Sequence, residues 1–167
     1  MSDKRDSIQI LSALTSDICV SVEVLRDYEN GNYPNREEFF RCGIYRLCLQ
    51  TIILNCAKYT EFCREYGCVI RECCPELQKL ANQVKSQLEA RGVNTARNKF
   101  IAHNRCKKNK RPLSVAEIDK LVINVMGSES ALPFIEFLFP QDLEGKPKKD
   151  YLVGILETIK DRIGSTL

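Results

Sequence analysis

Residues 36–66 read REEFFRCGIYRLCLQTIILNCAKYTEFCREY. Phe39, Phe40, Ile44, Leu47, Leu49, Ile52, Ile53, Leu54 and Cys56 cover much of the circumference of a helix instead of a single stripe. A helix apolar on most sides belongs in a core. The stretch therefore predicts a long, central, largely buried helix from about Arg36 to Tyr66, with Gly67 as its stop.

Helical spacing continues on both sides. Leu11, Leu14, Ile18, Val22 and Leu25 step by three and four, an amphipathic helix that ends near Tyr28–Gly31 and is followed by a turn at Asn32-Tyr33-Pro34. After the central helix, Pro75 suits the first position of a helix carrying Leu77, Leu80, Val84 and Leu88. Arg91-Gly92 breaks that pattern, and Asn94 or Thr95 can cap the next helix. Ser114-Val115-Ala116-Glu117 is a capping box that opens a helix with Ile118, Leu121, Val122, Val125 and Met126. A proline-containing connection then runs through Phe134 to Pro147. A last helix at about 149–164 carries Tyr151, Leu152, Ile155, Leu156, Ile159 and Ile163. There is no strand alternation and no repeat. The pattern predicts one all-α domain over 1–167, an up-down bundle of about five or six helices with its core at about 7–126.

Composition narrows the class. An apolar content of 44% and a charged content of 28% are those of a soluble globular chain. The net charge of +3 is mild, so only local clustering argues for nucleic acid. The start, Met1–Asp6, is polar and carries no secretory pattern. No membrane span is expected: Ile52-Ile53-Leu54 is short, and Glu136 interrupts the apolar run 132–139. Nine cysteines without a signal sequence point to free thiols in a reducing cytoplasm. Cys48, Cys56 and Cys63 fall on one helical face and read as small core residues. Cys63, Cys68, Cys73 and Cys74 lie closer together, but they form no Cys-x-x-Cys pair and have no histidine nearby, so no metal or cofactor is expected.

The chemistry concentrates in one place. The only histidine, His103, sits in Arg97-Asn98-Lys99-Phe100-Ile101-Ala102-His103-Asn104, and a basic run follows with Arg105, Lys107, Lys108, Lys110 and Arg111. Imidazole and guanidinium beside a basic strip suit an anionic substrate such as phosphate or nucleic acid. On a helical wheel Val93, Ala96 and Phe100 make an apolar stripe. Arg97 flanks it on one side and His103 on the other, roughly 120° apart. A second copy covering Phe100 would bring Arg97 of one subunit toward His103 of the other, making Phe100 a dimer-interface residue and the site composite. The motif is also expected in a first helical turn, where free N–H groups favour phosphate.

Arg97-Asn98-Lys99-Phe100-Ile101-Ala102-His103 resembles the signature of the HEPN superfamily of helical domains: an arginine, a polar residue, then a histidine after a short interval. The Ala102-His103 ending and the Phe39-Phe40 pair in the long second helix are most similar to its abortive-infection branch. The resemblance covers most of residues 7–126. It implies a metal-independent endoribonuclease acting as a homodimer in toxin–antitoxin or phage-defence settings. On this chain it makes Arg97 and His103 the catalytic pair with Asn98 in support. Lys99, Arg105, Lys107 and Lys108 would hold the RNA backbone. Ile101 stands where one toxin branch has a tyrosine that a nucleotidyltransferase-like partner modifies, so silencing at that position is not expected.

Plainer readings stand beside this one. His103 also reads as a buried structural histidine. Arg97 reads as the ion-pair partner of Glu37, Glu38 or Glu61. The basic strip reads as a solvated loop. Under these readings the chain is a non-catalytic HEPN-like module for dimerisation or for binding a partner such as an antitoxin.

Overall fold

The computed structural model describes residues 2–32, 37–102 and 111–167. Its described residues are all-α, as the periodicity predicts. Eight α-helices are present among them where five or six were expected: α1 (Ser2–Glu29), α2 (Glu38–Glu65), α3 (Gly67–Cys73), α4 (Gln78–Ala90), α5 (Val93–Ala96), α6 (Val115–Met126), α7 (Leu132–Leu138) and α8 (Leu152–Gly164).

α1 buries Leu11, Leu14, Ile18, Val22 and Leu25 against α2 and α8. The expectation that no segment reaches membrane-spanning length is corrected here. By length and composition alone, Asp3–Glu29 is long and apolar enough to cross a membrane, with a hydropathy of 1.6. In the fold the apolar stripe of this helix is core. α1 stops where expected, with Gly31 at φ 73.

α2 matches its predicted extent to within two residues and is the central helix. From Ile52 to Cys63 it buries Ile52, Ile53, Cys56, Ala57, Tyr59, Phe62 and Cys63, against α1 on one side and α4 and α5 on another. Gly67 does not end the helical run. Tyr66 caps α2, and its carbonyl accepts from the N–H groups of Val69 and Ile70, which starts α3 at Gly67. Burial of Val69 and Ile70 rewards the continuation. Pro75 opens a 3-10 turn, Pro75–Leu77, from which α4 continues.

The stretch read as a connection contains α7. Pro133 lies in its first turn, where the missing N–H is no loss. Glu136 does not break it, because Arg26 of α1 reaches across to this carboxylate at 3.1 Å and to the Phe139 carbonyl at 2.6 Å. Phe134, Ile135 and Leu138 are buried. α8 starts at Leu152, after a 3-10 turn over Lys148–Asp150, and packs on α1 and α3. A Cβ on Gly154 would lie 2.7 Å from the Lys148 Cα, so this packing admits only glycine there.

Candidate functional site

The motif segment hangs between α4 and α6, and Arg91 fixes it there. The Arg91 guanidinium donates to the carbonyls of Val125 and Met126, each at 3.0 Å, and lies over the Phe134 ring at 5.2 Å. Those carbonyls end α6 and have no helical partner of their own, and a cation suits that end of the helix dipole. In return the Asn124 amide donates to the Arg91 carbonyl at 2.8 Å. Gly92 follows at φ 78, a left-handed conformation that turns the chain sharply into α5. Gly92 is thus the N-cap, in place of the expected Asn94 or Thr95.

Val93, Ala96 and Phe100 form the predicted apolar stripe, and it faces inward. α5 and the turn after it pack on the C-terminal half of α2. There the buried Thr60 hydroxyl lies 3.3 Å from the Asn94 side-chain oxygen. Phe100 is only 7% exposed in the single chain. Its own chain covers it, so its burial does not require a second copy.

From Arg97 to Ala102 the winding is π-helical, wider than the expected α-helix. The rarity of such turns makes them frequent markers of functional positions. The widening also changes the angular relation of Arg97 to the residues after it. Arg97 is not in a first turn: its backbone N–H is taken by the carbonyls of Val93 and Asn94 and offers nothing to a phosphate.

The Arg97 side chain has two partners. Its Nη1 donates to Glu61 Oε1 of α2, and its Nε donates to Asn98 Oδ1 at 3.1 Å. Of the three carboxylates in reach by sequence, the fold selects Glu61, because α5 packs at that end of α2. The pair is partly buried, with 24% of the arginine side chain and 34% of the glutamate exposed. Asn98 and Lys99 face solvent. Arg97 and Asn98 thus meet Glu61 at one partly exposed edge, and Lys99, two residues on, is exposed as well. His103, Arg105, Lys107 and Lys108 lie outside the described residues.

Arg111, the last of the basic run, lies ahead of α6 and reaches its first turn. It donates to both carboxylate oxygens of Glu117, at 2.8 and 2.9 Å, beside the predicted capping box. Arg111 first, then the Ser114 N–H and hydroxyl, hold the Glu117 carboxyl down at about 2. Sequence reasoning missed Arg91 as the group that fixes the motif segment, and the contact of Arg111 with Glu117. The capping box was the one local signal that singles out Glu117.

The cysteines form no group of three or more metal-ligating side chains among the described residues. Cys56 and Cys63 are core residues of α2, as predicted, and Cys48 is half-buried against the core. Burial pushes the Cys56 thiol up to about 12 and that of Cys63 up to about 11.

No family model matches the chain, and no curated protein matches it by sequence. Its fold is similar to that of the integron cassette protein Vpc_cass2 from the mobile metagenome of V. paracholerae. The TM-score is 0.82 and the identity 28%, over 98% of each chain.

Proposed function

We propose that the chain is a metal-independent endoribonuclease of toxin or phage-defence type, acting in the cytoplasm as a homodimer. The observation that carries this reading is the placement of Arg97. Glu61 and Asn98 hold its guanidinium in one orientation at the partly exposed edge of a π-helical turn. An arginine has five N–H donors in a planar fork, so a side chain oriented by two partners still has donors to offer a phosphate.

In the proposed reaction the 2′-hydroxyl of RNA attacks the adjacent phosphorus. The bond to the 5′ oxygen of the next nucleotide breaks, leaving a cyclic phosphate and a free 5′-hydroxyl. His103 takes the proton of the attacking hydroxyl or returns one to the leaving oxygen. Arg97 stabilises the charge that builds on the non-bridging oxygens. Asn98 orients the arginine, and Lys99, Arg105, Lys107 and Lys108 hold the backbone.

The test is cleavage of total cellular RNA in excess EDTA, wild type beside His103→Ala. EDTA-resistant cutting that disappears with His103 supports the reading. The Arg97–Glu61 ion pair favours a second one, in which Arg97 only ties the π turn to α2 and the chain is a dimerisation or partner-binding module. Intact RNA with both proteins, together with stabilisation by a bound antitoxin or nucleotidyltransferase-like partner, supports that second reading.

A further inference from the structure

Cleavage of RNA by its own 2′-hydroxyl involves two proton transfers. One group takes the proton of the attacking hydroxyl, and another gives a proton to the departing 5′ oxygen. The chain has a single histidine to serve both ends of the reaction. A carboxylate serves as a general base as well as an imidazole does. Glu61 is the one carboxylate that meets the Arg97 side chain among the described residues. Its Oε1 accepts from Arg97 Nη1, and its Oε2 has no partner among the described residues. With 34% of the side chain exposed, it is not sealed from a ligand at that edge.

We propose that Glu61 is the general base of the cleavage and leaves His103 as the acid. The inference rests on the ribonuclease reading above and divides its two proton transfers between two residues. The first support is the shape of the arginine. Its Nη1 is on Glu61 and its Nε on Asn98, while Nη2 has no partner among the described residues. The guanidinium is a planar fork, so a phosphate taken by Nη2 lies beside the carboxylate on Nη1. In RNA the attacking hydroxyl is on the ribose carbon next to the one that carries that phosphate. A carboxylate beside the phosphate is therefore beside the hydroxyl. The second support is the mounting. Glu61 stands on the central helix between the buried Thr60 and Phe62, and a reacting group is placed most accurately on a rigid element. The third is charge. A carboxylate next to an anionic substrate weakens binding. Orienting Arg97 needs only an acceptor, which a neutral amide supplies, whereas taking a proton needs the carboxylate. In the step, the 2′ oxygen bonds to phosphorus as its proton passes to Glu61 Oε2. The bond from phosphorus to the 5′ oxygen breaks, and that oxygen takes a proton from His103. The products are a cyclic phosphate and a 5′-hydroxyl, and exchange of one proton with water restores each side chain.

The experiment compares the wild type with Glu61→Gln, Glu61→Asp and His103→Ala on two substrates. One is a short RNA that contains a wild-type cut site. The other is the same RNA with sulfur in place of the 5′ bridging oxygen at that site, a leaving group that departs without a proton. Glu61→Gln keeps an acceptor for Arg97 and loses the base. It is expected to keep its helicity by circular dichroism and to bind a 2′-deoxy form of the RNA at least as tightly as the wild type does. It is expected to cut the normal RNA about 10²–10⁴-fold more slowly. Glu61→Asp, which keeps a carboxylate, is expected to cut faster than Glu61→Gln. On the sulfur substrate His103→Ala is expected to regain most of the wild-type rate, and Glu61→Gln is not. Wild-type cutting of normal RNA by Glu61→Gln would mean that Glu61 only orients Arg97, and it overturns the proposal. Recovery of Glu61→Gln on the sulfur substrate assigns it to the leaving group and also overturns the proposal. Both results leave the ribonuclease reading standing. Intact RNA with the wild type overturns that reading, and the assignment of Glu61 with it.

Discussion

Arg97 and Glu61 form an ion pair between the π-helical turn and the central helix, and that pair both positions the arginine and ties the turn to the core. The two roles separate by measurement. In a double-mutant cycle of Arg97→Ala and Glu61→Ala, chemical denaturation is expected to show a coupling of about 0.5–1 kcal/mol, as for a partly exposed pair. Arg97→Lys retains the charge for Glu61 but loses the planar fork. If the arginine acts on phosphate, Arg97→Lys keeps most of the stability and loses RNA cleavage. Additive single effects in the cycle would show that the pair does not form in solution. Full cleavage by the lysine variant would remove the arginine from the chemistry.

Glu117 gives the start of α6 a pH dependence of known sign. Arg111 and Ser114 hold its carboxyl at about 2, against an ordinary value of 4.5. A carboxyl with a lower pKa in the folded state contributes stability above its unfolded pKa and loses it as the pH falls to the folded one. The capping box is therefore intact above about pH 4.5 and opens progressively toward about pH 2. Titration of the Glu117 carboxyl carbon by NMR is expected to show the low midpoint in the wild type. Arg111→Ala, which removes the largest cause, moves it back up. An unchanged midpoint in that variant would contradict the contact.

The elements legible in the sequence are those whose cause is local. The stripe Leu11–Leu25 predicts α1 by period alone, and the Ser114–Glu117 box predicts the start of α6 to the residue. α7 was not legible, because a seven-residue segment containing Pro133 and Glu136 has little helical preference of its own. Its support comes from burial of Phe134, Ile135 and Leu138 and from Arg26, 110 positions away from Glu136 in sequence. The same holds at the motif. The stripe Val93, Ala96, Phe100 was readable, but not that α2 covers it or that the winding widens from Arg97. As a result a charge buried there, as in Phe100→Asp, is expected to disturb the folding of the single chain.

The thiols divide by burial, and alkylation reads the division. Cys42 and Cys68 are exposed, whereas Cys56 and Cys63 are buried with thiols pushed up to about 12 and about 11. Only the thiolate reacts, so burial suppresses both access and reactivity. With iodoacetamide at pH 8, mass spectrometry is expected to find Cys42 and Cys68 modified first. Cys56 and Cys63 are expected to stay unmodified until denaturant unfolds the chain. Early modification of Cys56 would mean that α2 is not the central helix.

Arg26 ties α1 to α7. Its side chain is nearly fully buried, and it donates to Glu23 at 2.6 Å, to Glu136 at 3.1 Å and to the Phe139 carbonyl at 2.6 Å. That carbonyl is one of the unpaired acceptors at the end of α7. Met in place of Arg26 keeps much of the apolar stem and removes every donor. The expected loss is about 2–3 kcal/mol, because hydrogen bonds from a charged group are lost and their acceptors stay half-buried. For a chain of this size that lowers Tm by roughly 4–12 °C. Glu136→Gln keeps an acceptor for Arg26 and is expected to cost less. Hydrogen exchange separates the local effect from the global one: the amides of Leu138 and Phe139 lose protection in Arg26→Met before those of the α1–α2 core. A neutral Arg26→Met would show that apolar packing of Phe134 and Ile135 holds α7 without the arginine.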